Sequence, residues 1–290
     1  MLKLIRALYR LINIVIIATL LTLHFYIKDS SYQSSMFFYF FALPIIIMIV
    51  LGLSVFLGKW RIYNLILAGL LLLVWLGRSF SVSFPETFKK TDLEIVFWNA
   101  CRNHGFETAF KAHGSRPDVM VLTESNEHDL EALQLKYPKS YFYISESELR
   151  IFSKTPIEII REETSKFSST IINFKTNGVN FYALDMTGSS DVPRAWEFKF
   201  FYSIKKDKHN TVIVGDFNVP YESLFLKALK RDYEFYFSSK GNGFRETWFW
   251  GLPFLALDQI WTSKDLEVVA SKKINTKKSD HSMIKTVIRK

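Results

Sequence analysis

Two polar side chains follow a strongly apolar stretch at residues 212–218, Val-Ile-Val-Gly-Asp-Phe-Asn. The β-branched run Val212–Val214 predicts a buried strand, and Asp216 and Asn218 come directly after it. Residues i and i+2 of an extended chain point to the same side, so a carboxylate and an amide would project together and offer hydrogen bonds to a reacting group. Asp and Asn after a strand are also typical of turns, in which their side chains bond the nearby backbone. The rest of the chain decides between these two interpretations.

The same arrangement recurs at other ends of apolar stretches in the second part of the chain. These positions are Asn99, Glu124, Asp185, Asp258, and the pair Asp280-His281 just before the last predicted strand. One such residue indicates a turn more often than a site. Six occurrences in one domain favour a site, because catalytic and binding residues are concentrated in loops at the ends of rigid strands.

In this order, these residues resemble the endonuclease/exonuclease/phosphatase superfamily, the metal-dependent phosphodiesterases related to DNase I and exonuclease III. The resemblance covers about residues 92–290, and its most specific elements are Gly215-Asp216-Phe217-Asn218 and Ser279-Asp280-His281. It implies a four-layer α/β/β/α sandwich of two packed sheets. It also implies a phosphoric ester hydrolase of the nuclease or phosphatase type that uses Mg²⁺ or Mn²⁺.

The resemblance assigns three residues to the metal. Glu124 would be the main ligand, Asn99 would assist at the metal or the phosphate, and Asp280 would complete the shell. Mg²⁺ takes oxygen ligands and keeps several waters, which suits this set. Phosphodiester hydrolysis needs such a charge on the non-bridging oxygens together with a water aimed in line at phosphorus.

Four further residues would act on the water and the phosphate. Asp216 is the candidate to orient or deprotonate the attacking water, and Asn218 would donate hydrogen bonds to the phosphate. The resemblance places His281 on the phosphoryl oxygens as an imidazolium, with Asp258 holding its other ring nitrogen. A carboxylate partner raises the pKa of a histidine and fixes the orientation of its ring.

Asp185 departs from the family pattern, because many relatives have a His or Tyr at the matching strand end. Three interpretations remain open: a second-metal ligand, a differently shaped substrate, or lost activity. Tyr182, Thr187 or His104 could take over the missing phosphate contact. The other site residues are present, which favours an active enzyme.

Short β-rich stretches that alternate with helical patterns must position these residues. The predicted strands are Glu94–Trp98, Val119–Leu122, Tyr141–Ile144, Leu149–Ser153, Ile157–Arg161, Thr170–Phe174, Asn180–Leu184, Thr211–Val214, Leu257–Thr262, Leu266–Ala270 and Met283–Ile288. The predicted helices are Glu107–His113, Glu127–Lys136, Pro193–Ile204 and Glu222–Arg231. Two packed sheets with helices outside are the natural layering for this α/β content. The catalytic domain is predicted at 92–290, after a linker at 80–91.

Residues 1–79 have the composition of a membrane anchor. Three transmembrane helices are predicted at about 8–27, 36–57 and 62–77, each long enough to cross the hydrocarbon or close to it. Basic residues precede the first span and lie between the second and third, so the positive-inside rule predicts a cytoplasmic N-terminus. Three spans would then place the catalytic domain on the extracytoplasmic side, periplasmic or extracellular.

Net charge excludes one argument for nucleic-acid binding. The chain carries +9, but residues 1–79 hold seven Lys/Arg and one acidic residue, so most of the excess lies in the anchor. The catalytic domain is nearly balanced, and the substrate remains open between a nucleic acid and a phospholipid head group. The aromatic run Thr247–Leu255 is predicted to be core or strand edge, with a lipid-dipping loop as the alternative.

No protein partner can be inferred from the sequence. A degenerate, non-catalytic binding domain tethered to the membrane is the competing class of function, and Asp185 is its main support. The single cysteine, Cys101, excludes a disulfide bond within the chain.

Overall fold

The chain forms two structural units, Met1–Phe80 and Ser81–Lys290, in a computed structural model that describes residues 1–84 and 86–290. Pro85, in the linker predicted at 80–91, lies outside the described residues. The first unit is helical. Its α-helices are α1 (Leu2–Thr22), α2 (Tyr32–Phe40), α3 (Leu43–Ser54) and α4 (Arg61–Ser79), with a π-helical turn at Leu23–Ile27 and a 3₁₀ turn at Gly58–Trp60.

Two segments of the first unit are long and apolar enough to cross a membrane, Lys3–Ile27 and Gly58–Ser79. The second predicted span, at 36–57, is broken instead: α2 and α3 meet at an angle of 67°. Pro44 is the physical reason, because it lies in the first turn of α3 and cannot donate the backbone hydrogen bond that would continue α2. The unit therefore has a third crossing only if this bent pair acts as one span.

The second unit is built from strands and short helices. A two-residue strand, β1 (Phe80–Ser81), lies at the boundary between the units. The strands that follow are β2 (Leu93–Asn99), β3 (Val119–Thr123), β4 (Tyr141–Ile144), β5 (Arg150–Ser153), β6 (Glu158–Thr164), β7 (Thr170–Thr176), β8 (Val179–Asp185), β9 (Thr211–Asp216), β10 (Tyr233–Phe235), β11 (Gly243–Phe244), β12 (Asp258–Ser263), β13 (Glu267–Ile274) and β14 (Met283–Arg289). The helices are α5 (Phe106–His113), α6 (Leu130–Lys136), α7 (Arg194–Ile204), α8 (Lys227–Asp232) and α9 (Tyr236–Lys240).

Each of the eleven predicted strands overlaps one of these strands, whereas the helices differ more. The helix predicted at Glu127–Lys136 begins only at Leu130, because Asp129 caps it by accepting a hydrogen bond from Ala132 N at 2.8 Å. The helix predicted at Glu222–Arg231 is a 3₁₀ turn, Leu224–Leu226, followed by α8. Strand β10 and helix α9 were not predicted from the sequence.

Two six-stranded mixed sheets carry the core of the second unit. Their strand orders are β10-β12-β9-β8-β7-β6 and β13-β14-β2-β3-β5-β4. Strands β2, β3 and β14 of the second sheet face β8, β9 and β12 of the first. Trp98 and Val96 of β2 pack with Phe106 and Phe110 of α5 on the outer side. Because side chains alternate along a strand, Asn99 points inward with Phe97, toward the other sheet.

Gly215 allows β8 and β9 to lie close together just before the site. A Cβ atom at this position would lie 1.9 Å from the carbonyl oxygen of Leu184, its register partner on β8. A real Cβ cannot approach backbone so closely. Close packing of the two strands therefore requires glycine at position 215. With glycine there, the next residue, Asp216, pairs with Asp185.

Candidate active site

Strand pairing brings three acidic residues into one row at the edge of the first sheet. Asp216 ends β9 and pairs with Asp185 on the parallel strand β8 and with Asp258 on the antiparallel strand β12. On the facing sheet, the parallel strands β2 and β3 end together, with Asn99 paired to Thr123 and Glu124 directly after it. The carboxyl ends of parallel strands meet at one edge of a sheet, so both sheets present polar residues at the same end of the domain.

Asn99 joins the two sheets. Its side-chain Nδ2 donates to Glu124 Oε1 and to Asp216 Oδ2, both at 3.1 Å, while its Oδ1 accepts from the backbone N–H of Cys101 at 3.0 Å. The hydrogen bond to Asp216 is buried, and those to Glu124 and Cys101 are partly buried. The amide therefore holds one carboxylate from each sheet at a fixed separation, which connects the predicted metal ligand Glu124 to the predicted base Asp216.

His281 and Asp258 form a buried pair beside Asp216. His281 Nδ1 donates to the two Asp258 carboxylate oxygens, at 2.8 and 3.0 Å. Burial alone would lower the pKa of His281, but the charge and hydrogen bond of Asp258 outweigh it and raise that pKa to about 10. Burial, followed by the charge of Asp258, raises the pKa of Asp216 to about 7, against the lowering effect of His281. Ligand atoms of all three residues lie within 4.8 Å of one another.

Asp216 and Asn218 come together through a turn. Strand β9 ends at Asp216, and Asn218 has a left-handed backbone (φ 49°) with its N–H donating to Asp216 Oδ1 at 2.9 Å. This is the turn chemistry that competed with a site in the sequence, and here it occurs within the site. Asn218 Nδ2 also donates to the Met186 carbonyl at 2.5 Å, which leaves one of its two N–H bonds for a ligand.

Arg102 and Glu148 belong to the site, although no sequence signal identified them. Arg102 Nη1 lies 2.9 Å from Glu124 Oε2, and its Nε lies 2.8 Å from Glu148 Oε2. Both Glu124 and Arg102 have left-handed backbone conformations, with φ of 47° and 55°, which direct the two loops toward each other. Loop conformation of this kind has no periodicity that a sequence pattern could show.

Asp280, the third predicted metal ligand, is held by a tryptophan. Trp248 Nε1 donates to Asp280 Oδ2 at 2.9 Å, so the aromatic run in the sequence contributes a side chain to the site. Cys101 interacts with both Asp280 and Glu124. Burial raises the pKa of its thiol above the usual value, and the charges of Asp280 and Glu124 add to that effect.

Asp185 faces a cavity of about 540 Å³ rather than the Asp258–His281 pair. Arg102, Glu146, Glu148, Asp185 and Asp191 are the charged residues of its lining. Burial raises the pKa of Asp185 well above its usual range, and the charges of Asp216, Glu124 and Glu148 raise it further.

Two of the three proposed substitutes for the missing family histidine are engaged elsewhere. Tyr182 donates to Asp207 at 2.8 Å, and His104 stacks on Trp98 with its Nε2 2.8 Å from the Lys278 carbonyl. Thr187 lines the cavity with Asp185.

The donor set suits a hard divalent cation. Glu124 offers carboxylate oxygens, Asn99 bonds to it through Nδ2, and the charges of Glu124, Asp216 and Glu148 all act on Asp185. Among the described residues, the His, Cys, Asp and Glu side chains with ligand atoms close enough together to bind a metal are those of Asp216, Asp258 and His281. In that group Nδ1 of His281 is already bonded to Asp258, which suits proton and charge handling better than ligation.

Comparisons with known proteins agree with this architecture. The model of the Endonuclease/Exonuclease/phosphatase family matches residues 96–281. The mannosyl-6-phosphatase Bt3783 of Bacteroides thetaiotaomicron VPI-5482 superposes with a TM-score of 0.51 at 14% identity, over 68% of this chain and 100% of the other. D. rerio TDP2, humanized by 14 mutations, gives 0.49 at 15% identity, over 69% of this chain and 100% of the other. No match was found among curated proteins.

Proposed function

The chain belongs to the Endonuclease/Exonuclease/phosphatase family, and on that premise we propose that its second unit is a divalent-metal-dependent phosphodiesterase. In this proposal water attacks phosphorus in line. The observation that carries it is the position of Asp216, which accepts from Asn99 on one side and lies against the Asp258–His281 pair on the other. A phosphate placed here would lie near the base Asp216, the protonated ring of His281 and the metal-binding carboxylate of Glu124. We also propose that the fold is the four-layer α/β/β/α sandwich, with α5 and α6 covering one sheet and α7 covering the other.

Asp216 orients and deprotonates the attacking water. Asn99 and the Asn218 N–H each occupy one of its oxygens, which fixes the plane of the carboxylate and leaves a lone pair on each oxygen for water. Positioning a base within hydrogen-bond reach of its proton is the first requirement for general base catalysis. The remaining N–H of Asn218 donates to a phosphate oxygen from the same turn.

His281 supplies positive charge to the phosphoryl oxygens. Asp258 binds its Nδ1, which leaves Nε2–H as the donor to substrate and keeps the ring protonated. A fixed donor in a buried site stabilises developing negative charge more strongly than it would in water. The pair contributes electrostatic stabilisation, while Asp216 contributes proton transfer.

Glu124 and Asn99 would hold the metal, with Asp280 completing the shell. A bound Mg²⁺ or Mn²⁺ supplies Lewis acidity toward the non-bridging and leaving oxygens. In the structure Arg102 Nη1 forms an ion pair with Glu124 Oε2, so a positive charge already compensates this carboxylate. Asn99 keeps Glu124 oriented through its Oε1.

Replacing Glu124 with glutamine is expected to raise the Mg²⁺ concentration for half-maximal activity at least about tenfold, since even residues outside a ligand shell change metal affinity by that factor. The measurement is a Mg²⁺ and Mn²⁺ titration of bis-(p-nitrophenyl) phosphate hydrolysis, with EDTA as the metal-free reference. Glu163→Gln is the matched control, because Glu163 pairs with Arg161 on β6. Equal metal requirements in the two variants would exclude Glu124 as a ligand.

The cavity beside Asp185 favours a compact substrate over a nucleic-acid duplex. Four of its five charged lining residues are acidic, and such a wall repels the continuous phosphate backbone that duplex-binding proteins neutralise with Lys and Arg. A single phosphodiester joined to a small alcohol, such as a lipid head group, fits the volume and brings one negative charge instead of a continuous row of them. Turnover of such an ester in preference to duplex DNA is the discriminating assay.

We also propose that residues 1–79 anchor the enzyme in a membrane through three crossings, with α2 and α3 acting together as the bent second one. The basic residues Lys3, Arg6 and Arg10 lie at the start of the first span, and Lys59 and Arg61 lie at the start of the last one, which favours a cytoplasmic N-terminus. An alkaline phosphatase fused after Lys290 is then expected to be active in cells. Activity of a cytoplasm-specific reporter at that position would contradict this orientation.

A further inference from the structure

The aromatic run after Thr247 forms a hairpin whose tip is apolar and exposed. Phe249 N donates to the Leu252 carbonyl at 3.2 Å and Leu252 N to the Phe249 carbonyl at 2.9 Å, closing a two-residue turn at Trp250-Gly251 with φ of 50° and 79°. Phe249, Trp250 and Leu252 are 38%, 56% and 53% exposed. Trp248, at the base, packs inward and donates to Asp280. Core packing therefore explains Trp248 but not the three residues of the tip.

Exposed lysines lie in the segment that packs against this tip. Trp250 N donates to the Asp280 carbonyl at 2.8 Å, and Asn275 lies beside Gly251, 3.1 Å from where a Cβ would stand. Both ends of the segment 275–280 therefore contact the turn. Lys277 and Lys278, between these ends, are exposed. Aromatic residues at a tip with lysines beside them have the chemistry of the membrane interface, where rings enter the head-group region and ammonium groups meet anionic lipid.

The size of the tip favours a bilayer over a second protein chain. A stable protein interface needs about 800 Å² from each partner, which three side chains on one turn cannot supply. Interfacial insertion needs only a few aromatic and aliphatic side chains plus electrostatic attraction. The chain also has apolar helices long enough to cross a membrane, and residues 80–92 that follow the last one can extend at most about 45 Å. A lipid surface would therefore be within reach of this domain.

We propose that the tip Phe249–Leu252, together with Lys277 and Lys278, docks on the anionic lipid surface of the membrane that holds residues 1–79. The proposal rests on the membrane anchoring proposed above and not on the hydrolytic activity. Because Trp250 N bonds the Asp280 carbonyl, docking of the tip brings the Asp280-His281 edge of the site toward the lipid head groups.

The test places a fluorescent label at the tip of the full-length chain. Cys101 is the single cysteine, so a Cys101→Ser background with Leu252→Cys accepts one nitrobenzoxadiazole label. The labelled chain is incorporated into lipid nanodiscs with or without phosphatidylglycerol, and quenching by nitroxide-labelled lipids is measured. A tip that enters the interface by about 5–10 Å reaches the nitroxides, and its fluorescence is expected to fall roughly twofold or more. Loss of the anionic lipid, or Lys277→Glu with Lys278→Glu, is expected to remove most of this quenching.

The matched control carries the label at Leu135→Cys in the same background. Leu135 is 83% exposed on α6, near Ser140 and the start of β4, at the end of its sheet opposite to Asn99. Equal nitroxide quenching at positions 252 and 135 would overturn the docking. A label at 252 that is shielded from water but not quenched by the lipids would also overturn it and indicate a protein contact. Failure of both chains to incorporate would overturn the anchoring and this proposal with it, with no bearing on hydrolysis.

Discussion

Replacing Asp216 with asparagine is expected to lower the turnover number for bis-(p-nitrophenyl) phosphate by about 10² to 10⁴, the usual contribution of a positioned general base. Asparagine has nearly the same shape, so the turn that ends β9 and the neighbouring strands should persist. The asparagine cannot accept a proton from water. Its side-chain NH₂ would also point at a hydrogen-bond donor, either Asn99 Nδ2 or the Asn218 N–H, where Asp216 has an acceptor oxygen. The loss is expected in the turnover number at saturating Mg²⁺ and substrate.

Asp207 provides the matched control for this substitution. It accepts hydrogen bonds from Tyr182 and Asn180 at the opposite end of the same sheet, so Asp207→Asn makes the same chemical change away from the site. Its turnover should equal that of the unmodified chain. If Asp216→Asn kept as much activity as Asp207→Asn, Asp216 would not be the base. If neither the unmodified chain nor Asp207→Asn turned over any phosphodiester while both remained folded, a non-catalytic binding domain would be favoured instead.

Asp258 and His281 are expected to behave as one unit in a double-mutant cycle. His281→Gln should reduce turnover by roughly 10² to 10³, the effect of losing one donor to a developing oxyanion. Asp258→Asn should cost nearly as much, because the neutral amide no longer keeps the imidazole protonated. The double variant should lose little more than His281→Gln alone, since residues that act together are strongly non-additive. Initial rates of the four proteins give the coupling directly.

Stability supplies an independent readout of the same cycle. His281→Gln leaves the fully buried Asp258 carboxylate without its partner, and breaking a buried pair in this way costs about 3–5 kcal/mol in the free energy of unfolding. Adding Asp258→Asn should recover part of that loss. The exposed pair His209 and Asp265, with 3.8 Å between Nδ1 and Oδ1, is the matched control and should show neither effect. Additive losses of turnover in the Asp258–His281 cycle would show that the two residues act separately.

Most of the strand content could be predicted from the sequence, and so could several polar residues that the fold brings into contact. Alternating and β-branched apolar residues mark strands because burial on one or both faces leaves a local signature, and all eleven predicted strands overlap observed ones. A polar residue that ends an apolar strand is visible in the sequence for the same reason, because it interrupts the local pattern of burial. Asn99, Glu124, Asp216, Asp258 and His281 could therefore be found before any contact between them was known.

The contacts among these residues, and their geometry, could not be predicted from the sequence. Asn99 reaches Asp216 across 117 positions of sequence because the two sheets face each other, and Arg102, which has a left-handed backbone, meets Glu148. The aromatic run was predicted to be core or strand edge, and the fold divides it, with Trp248 on Asp280 and Trp250 in solvent. A local pattern records how buried a residue is, whereas contact partners depend on how distant segments pack, and that information is distributed over the whole chain.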